Sequence, residues 1–272
     1  FLFKQPVAGG CALTFDTKYR FIGSDNISVT PSTRSLITCS YDAGDDILDC
    51  MVWGSGGAAQ VNTLLAKTLA YWNLNEASGD RLDTLFGVAL VDGSSVVTSA
   101  TGVSNNAAVF HDTGGLVATT PSSFDVASNP LSFSFAVKIA SLSSGYFTLL
   151  VTSQWYLVVD GDGTINLTAG TVPSGAVGGT STHSFPEGSW VSIIGQFDKA
   201  NDIIALKINN NAVETFYGIG AETLNAFDGS LVVGSSGNNL FIDELGFYNA
   251  RLTLSEMALI YNSGSFTTYP FS

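Results

Sequence analysis

The clearest fold signal in the chain is the stretch WYLVVDGDGTINLT at residues 155–168. Two runs rich in apolar and β-branched residues, 155–159 and 164–168, stand on either side of the tetrapeptide Asp-Gly-Asp-Gly at 160–163. Gly and Asp in a short connection between two such runs are typical of a tight turn that reverses the chain. The stretch therefore predicts two neighbouring antiparallel strands.

Short strands with polar turns recur along most of the chain outside this hairpin. Residues 190–197 and 203–208 flank a polar turn, and three asparagines at 209–211 connect the second run to 212–216. Residues 131–139, LSFSFAVKI, alternate in the way that is typical of a strand with one buried face. Many short strands joined by Gly, Asn, Asp and Ser predict an antiparallel sandwich or jelly roll.

Two segments carry helical signals. Residues 253–256, Thr-Leu-Ser-Glu, form a capping box, in which Thr caps the first amides and Glu reaches back to the N-cap. An apolar stripe follows, and Gly264 is a natural stop, so the sequence predicts a short C-terminal helix. Residues 58–69 also carry apolar side chains at helical spacing.

The composition excludes several classes of protein. Of 272 residues, 45% are hydrophobic and 12% are charged, which is enough apolar material for a large core. The formal net charge of −13 repels phosphate groups, so we expect no nucleic-acid binding and no polybasic membrane patch. No apolar run reaches the roughly 18 residues that span a bilayer, so we expect no membrane insertion.

A glycine-rich segment at 54–57 divides the chain. We expect a small β module at 1–57, a linker with a short helix at 58–68, and the main β domain at 69–272. A module of this size buries little surface alone. We therefore expect it to pack on a neighbouring protein or on other copies of the chain, as a homo-oligomer.

The module is predicted to hold short strands and all three cysteines. Its strands are expected at 12–16, 20–22 and 27–30, followed by a hairpin of 36–42 and 47–53. This hairpin would place Cys39 opposite Cys50, and two interpretations stay open: a disulfide, or two small buried residues. With Cys11 the count is odd, so at least one cysteine has no partner within the chain.

Residues 69–264 resemble the concanavalin A-like, laminin-G-type domains. The segment 70–83, AYWNLNEASGDRLD, is similar to the opening strand and turn of that family, and 241–248, FIDELGFY, to its final core strand. Residues 251–264 are similar to the short helix that closes these domains. The resemblance implies an all-β fold, an antiparallel jelly-roll sandwich with a short C-terminal helix, here preceded by the small β module.

The variant with this opening is common in structural proteins of tailed bacteriophages, and the module looks like small β segments of phage fibres. The resemblance therefore implies a bacteriophage protein at the virion surface, in a tail fibre, head fibre or capsid decoration, with the module contacting other virion proteins. Two alternatives stay open. One is a decoration or cement protein without a ligand, and the other is an extracellular or bacterial cell-surface adhesin module.

The resemblance also implies a structural Ca²⁺ between the last strand and the opening turn. Asp243 is the first candidate ligand, and Glu76 and Asp83 match the opening segment; oxygen ligands of this kind suit Ca²⁺. In strict alternation Asp243 shares a strand face with Leu245 and Phe247, where an unpaired charge is costly. The alternative is that Asp243 accepts hydrogen bonds from backbone amides or from an arginine, without an ion.

We expect no enzymatic activity. Some concanavalin A-like relatives are glycosidases, which need two carboxylates beside the scissile bond and carry them in a Glu-x-Asp-x-x-Glu segment or a close variant. The sequence contains no such segment. It also lacks the Gly-x-Ser-x-Gly elbow that would support a nucleophilic serine with His111 or His183.

Cell-surface glycans are the ligand that we expect for such a domain. Glycan binding needs aromatic faces for sugar stacking, together with nearby polar groups. The candidates are Trp155, Tyr156, Tyr146 and Tyr217. The alternative for each is a place in the core, the commoner fate of aromatic residues. Trp72 and Trp190 match core positions of the family and are excluded.

Overall fold

The computed structural model describes residues 2–4, 19–21, 34–42, 47–53, 58–85, 87–92, 97–111, 114–142, 146–173, 175–235 and 239–271, with side chains from Thr63 onward except that of Ser235. Two compact units make up the chain, Phe1–Thr63 and Leu64–Ser272. The predicted strands at 12–16 and 27–30 and the predicted linker at 54–57 lie outside the described residues.

The first unit contains a four-stranded sheet in the order β1-β3-β4-β2. Its strands are β1 (Leu2–Lys4), β2 (Tyr19–Phe21), β3 (Arg34–Asp42) and β4 (Ile47–Trp53). The predicted hairpin is confirmed, because β3 and β4 are antiparallel and Cys39 lies opposite Cys50. Strand β2 joins the other side of β4 in parallel.

The second unit is a sandwich of two antiparallel sheets. The six-stranded sheet has the order β10-β19-β12-β13-β14-β15, and the eight-stranded sheet has the order β18-β17-β16-β11-β20-β9-β8, with β5 also paired to β20. These strands, with the small β6–β7 pair, are β5 (Thr68–Trp72), β6 (Arg81–Leu82), β7 (Ala89–Leu90), β8 (Thr98–Thr101), β9 (Asn106–Phe110), β10 (Leu116–Thr119), β11 (Leu131–Ile139), β12 (Tyr146–Thr152), β13 (Trp155–Asp160), β14 (Ile165–Thr171), β15 (Gly175–Thr180), β16 (Val191–Asp198), β17 (Ile203–Ile208), β18 (Glu214–Phe216), β19 (Ser230–Ser235) and β20 (Leu240–Tyr248).

The core lies between the two sheets and is rich in aromatic rings. The Trp155 ring stacks on Phe133 with centroids 5.2 Å apart, and it also contacts Phe197 at 5.3 Å. Trp72, at the start of the sandwich, lies opposite Leu245 in the β5–β20 pair, so the opening and closing segments are neighbours as the resemblance implies. The fold class is confirmed: an antiparallel jelly roll with one short C-terminal helix.

Both predicted helices are present. Helix α1 (Ala58–Lys67) leads directly into β5, and helix α2 (Leu254–Tyr261) begins with the predicted capping box of Thr253 and Glu256. Helix α2 ends earlier than predicted, because Asn262 adopts the left-handed conformation that closes it. Among the described residues no helix is long and apolar enough to cross a membrane.

Strand β11 is buried on both faces, although its alternation predicts one buried face. Ser132 and Ser134, on the side away from the core, are fully buried. Ser132 Oγ donates to the carbonyl of Ala250 at 2.7 Å, and Ser134 Oγ lies 2.9 Å from the Tyr248 hydroxyl. The prediction is wrong because the C-terminal residues of the same unit cover this side of the eight-stranded sheet.

Strand β20 does not alternate strictly, which corrects the expected environment of Asp243. Leu240 and Ile242 belong to the core, and so do Leu245 and Phe247, so the inward face shifts by one residue between the pairs. Glu244 has a positive φ of 53°, and the register with β11 shifts at the same place. A β-bulge therefore separates Asp243 from the face of Leu245 and Phe247.

Candidate functional site

The outward face of the six-stranded sheet carries the candidate site. In β13 and β14 the alternate residues Trp155, Leu157, Val159, Ile165 and Leu167 are fully buried. Because side chains of a strand alternate between faces, the residues between them point away from the core. The confirmed β13–β14 hairpin therefore holds one polar and aromatic surface outside the sandwich.

A groove of about 500 Å³ runs over this surface. That volume lies within the range of pockets that hold small ligands. The strand register places three rows side by side across the groove: Tyr146 with Asp160, Thr148 with Val158 and Asn166, and Val151 with Tyr156 and Thr168. Its lining consists of Tyr146, Thr148, Val151, Tyr156, Val158, Asp160, Asn166 and Thr168.

Two tyrosines supply the aromatic surface of the groove. Tyr146 is 61% exposed and Tyr156 is 37% exposed, so both rings can meet a ligand. They lie on adjacent strands, β12 and β13, at opposite ends of the groove. The structure thus brings two of the four candidate residues together at the surface.

A chain of hydrogen bonds orders the polar side of the groove. Asn166 Nδ2 donates to Asp160 Oδ2 at 2.9 Å, and Thr180 Oγ1 donates to Asn166 Oδ1 at 2.6 Å. These bonds fix which end of the Asn166 amide faces Asp160. A carboxylate has about four acceptor positions, so the bond from Asn166 leaves Asp160 able to accept from a ligand.

The other two aromatic candidates lie elsewhere. Trp155 is 1% exposed in the core, so its prediction as a sugar-stacking residue is wrong: it points inward from the strand that turns Tyr156 outward. Tyr217 is 68% exposed but follows β18, at the edge of the eight-stranded sheet, and does not line the groove.

The two excluded tryptophans differ from each other. Trp72 is fully buried, as expected. Trp190 is only half-buried and packs edge-on against Phe241, with the Lys138 ammonium 5.2 Å from its ring centroid. Trp190 was expected in the core, and this expectation is only partly right. Its ring nevertheless packs against Lys138 and Phe241.

The three predicted calcium ligands are each held by backbone amides. Asp243 is buried, and its Oδ2 accepts from Val103 at 2.9 Å and Ser104 at 3.2 Å, while its Oδ1 accepts from Glu244 N at 2.9 Å. The backbone alternative is the one that the structure supports for Asp243. Burial raises the pKa of its carboxyl to about 7.

Asp83 and Glu76 do not complete a metal site with Asp243. Asp83 Oδ1 accepts from the Tyr71 amide at 2.6 Å, and Glu76 Oε1 accepts from the Leu82 amide at 2.9 Å. The described residues contain no group of three His, Cys, Asp or Glu side chains placed to hold a metal ion. Because the described side chains are not grouped to coordinate one ion, this ligand set does not fit Ca²⁺.

A second concavity of about 500 Å³ lies at the turn after β16. Its carboxylates accept hydrogen bonds from nearby backbone amides. Asp198 accepts from the Asn201 amide, and Asp202 Oδ1 accepts from the Gly218 and Gly220 amides at 2.8 and 2.7 Å. None of its described lining residues is aromatic. The Tyr146–Tyr156 groove is therefore the stronger candidate.

Sequence reasoning missed the polar half of the groove. Asp160 was interpreted only as a turn residue, and Asn166 and Thr168 only as strand positions. The alternation around Tyr156 contains the missing signal, because residues two apart on paired strands share a face.

The chain belongs to the concanavalin A-like lectin/glucanases superfamily. The Laminin_G_3 family model, which carries that description, matches residues 111–258, more than half of the chain. The matched segment includes β12, β13 and β14 and therefore the whole groove. No curated protein matches the sequence.

Similar solved structures include binding domains of botulinum neurotoxins. The serotype D ligand binding domain in complex with N-acetylneuraminic acid is 14% identical, with a TM-score of 0.61 over 75% of this chain and 52% of that one. The binding domain of neurotoxin DC in complex with SialylT is 13% identical, with a TM-score of 0.61 over 76% and 53%. The chain thus spans about half the length of these structures, and the likeness shows a shared lectin-type fold.

Proposed function

We propose that the second unit is a lectin domain, which binds a cell-surface glycan in the Tyr146–Tyr156 groove without altering it. The observation that carries the proposal is the pairing of two exposed tyrosines with Asp160 and Asn166 on an uncovered sheet face. The apolar face of a sugar ring packs on an aromatic side chain, and its hydroxyls need polar partners at the ring edge.

The binding strength expected of this groove is modest. Each hydrogen bond to a neutral partner contributes about 0.5–1.5 kcal/mol net, and one to a carboxylate about 1.5–3 kcal/mol. A few such contacts correspond to dissociation constants of about 1 mM, which is −4.1 kcal/mol. Display of several copies on one particle would multiply the apparent affinity.

The single carboxylate of the groove supports a non-enzymatic role. Glycoside hydrolysis uses two carboxyl groups, about 5–5.5 Å apart in retaining enzymes and 6.5–9.5 Å apart in inverting ones. Asp160 is the one acidic residue among the lining residues that the structure describes. Asp160 therefore serves as a hydrogen-bond acceptor for a sugar hydroxyl in this proposal.

We also propose that the first unit anchors this lectin domain at a virion surface, through other virion proteins or copies of the chain. The support is the resemblance of the opening segment and of residues 1–57 to phage structural proteins. Antibodies against the chain should label intact particles in electron micrographs. Labelling confined to bacterial cell envelopes would instead favour the adhesin alternative.

The lectin function is tested on a glycan array with the full chain and two tyrosine variants. Tyr156→Ala should weaken binding at least about tenfold, because it removes one of the two aromatic rings that line the groove. Tyr217→Ala is the control, an exposed tyrosine outside the groove, and should stay within about twofold. Equal loss of binding in both variants would contradict the proposal, and so would a native chain that binds no glycan. If the native chain binds no glycan but is incorporated into particles, the ligand-free decoration role is favoured.

A further inference from the structure

We infer that the groove selects an uncharged sugar with a methyl-bearing substituent, such as an acetamido or a 6-deoxy group. The inference rests on the proposed lectin function and concerns which glycans the same groove takes. Two properties of the lining carry it: the sign of its charge and the position of its aliphatic side chains.

The charge in the groove is negative. Among the described lining residues Asp160 is the one carboxylate, and none of them is Lys, Arg or His. The chain as a whole carries a formal net charge of −13. A carboxylated or sulfated sugar would meet Asp160 without a cationic partner, and this repulsion is strongest at low salt. Acidic sugars are therefore disfavoured.

Aliphatic side chains lie next to Tyr156 on two strands of the groove. Val151, on β12, lies directly opposite Tyr156, and Val158 lies on β13 itself, two residues along from Tyr156. The row continues beyond the groove, with Val232 opposite Val151 and Val117 opposite Val232. Val117 is 43% exposed, so this aliphatic strip is open to solvent.

The polar groups lie on the other side of Tyr156. Thr168 is opposite Tyr156 on β14, and Asn166 is opposite Val158. Neighbouring strands are about 4.8 Å apart, so a ring packed on Tyr156 reaches Thr168 on one edge and Val151 on the other. Hydroxyls gain nothing from the valine edge, since they would leave water without a partner. A methyl group buried there strengthens binding about fourfold.

Matched sugar pairs test this inference by calorimetry on the full chain. Chitotetraose against cellotetraose compares acetamido with hydroxyl groups, and fucosyllactose against lactose tests a 6-deoxy sugar. Sialyllactose against lactose tests the charge. We expect at least one methyl-bearing probe to bind about fourfold or more tightly than its plain partner, and sialyllactose to bind no better than lactose.

Two variants assign the selectivity to residues. Val151→Thr keeps the shape of the side chain but replaces a methyl group with a hydroxyl, and should reduce the ratio of methyl-bearing to plain-sugar affinity to about twofold or less. Asp160→Asn should raise the affinity for sialyllactose relative to lactose, most clearly at low salt. Thermal melting of each variant shows that the fold is retained.

The outcomes separate this inference from the function on which it rests. Equal affinity for methyl-bearing and plain probes, or a preference for sialyllactose, overturns the selectivity and leaves the lectin function standing. Failure of every probe and of the glycan array overturns the lectin function and the inference with it.

Discussion

The two outward faces of the sandwich differ in what covers them. On the six-stranded sheet, β13 and β14 alternate between buried and accessible residues, and the accessible ones line an open groove. On the eight-stranded sheet, every residue of β16 is buried, and residues of helix α2 and of the segment after it lie against β5, β11 and β20. One face is accessible to a ligand, and the other is buried within the fold.

Polar groups on the two faces have correspondingly different partners. On the covered face the Tyr71 hydroxyl donates to Glu244, and Gln196 Nε2 donates to the Leu252 carbonyl at 3.0 Å. Donors and acceptors are buried together, and each of these buried polar groups therefore has the hydrogen-bond partner that burial requires. On the open face the Asp160–Asn166 pair borders the groove. Polar residues on the covered face are thus paired within the fold, whereas those on the open face lie beside a groove.

The largest effect should follow from uncovering the closed face. Phe271 is fully buried, with its ring centroid 5.5 Å from that of Tyr71 and 6.5 Å from that of Tyr248. We expect Phe271→Ala to lower the free energy of unfolding by about 3–5 kcal/mol, the usual cost of truncating a buried Phe. Urea denaturation measures this.

The same variant sharpens the contrast between the faces. At temperatures where it stays folded, Phe271→Ala should keep native glycan affinity, whereas Tyr156→Ala should keep stability and lose affinity. If Phe271→Ala lowers the free energy of unfolding by less than about 1 kcal/mol, the C-terminal segment does not stabilise this face as proposed.

A smaller effect is expected from pH, through two buried carboxyls. Burial raises the pKa of Glu244 to about 8 and that of Asp243 to about 7. Between pH 5 and 8 the folded state therefore binds more protons than the unfolded state. Stability is full below the ordinary carboxyl range and falls as pH rises, by about 1.4 kcal/mol per pH unit for each such group.

Urea midpoints at pH 5 and pH 8 check this direction. We expect the midpoint to fall toward pH 8, and Glu244→Gln, a neutral side chain of the same shape, to reduce the slope. Stability that rises from pH 5 to pH 8 would mean that both carboxyls are ionised in the folded chain.

The smallest effect should come from metal removal. Since Asp243, Asp83 and Glu76 accept from backbone amides of different segments, we expect EDTA to leave the melting temperature within about 1 °C. Addition of Ca²⁺ to the EDTA-treated chain serves as the control. A clear fall with EDTA that Ca²⁺ reverses would restore the calcium site that the resemblance implies.

Local patterns in the sequence predict most of the fold and part of the site. The turn at 160–163 and the capping box of Thr253 and Glu256 are short-range signals, and both are confirmed. The double burial of β11 depends on residues more than a hundred positions away, so its alternation alone could not reveal it. Likewise, Trp155 and Tyr156 are equally aromatic in sequence, and only the pleat decides which ring faces outward.

The bulge in β20 leaves a signal in the sequence that an assumption of strict alternation misses. The core pairs Leu240–Ile242 and Leu245–Phe247 are separated by three positions rather than two, with two carboxylates between them. Strict alternation cannot bury both pairs on one face. A break of this kind in an apolar pattern is therefore a usable signal for a bulge.

The most direct measurement is an NMR titration of the amide-labelled full chain with the best-binding glycan. We expect the largest chemical-shift changes at Tyr146, Tyr156 and Asn166, on strands β12 to β14. Changes confined to the helix-covered face, or to the concavity at Asp198 and Asp202, would contradict the assignment of the open face as the binding surface.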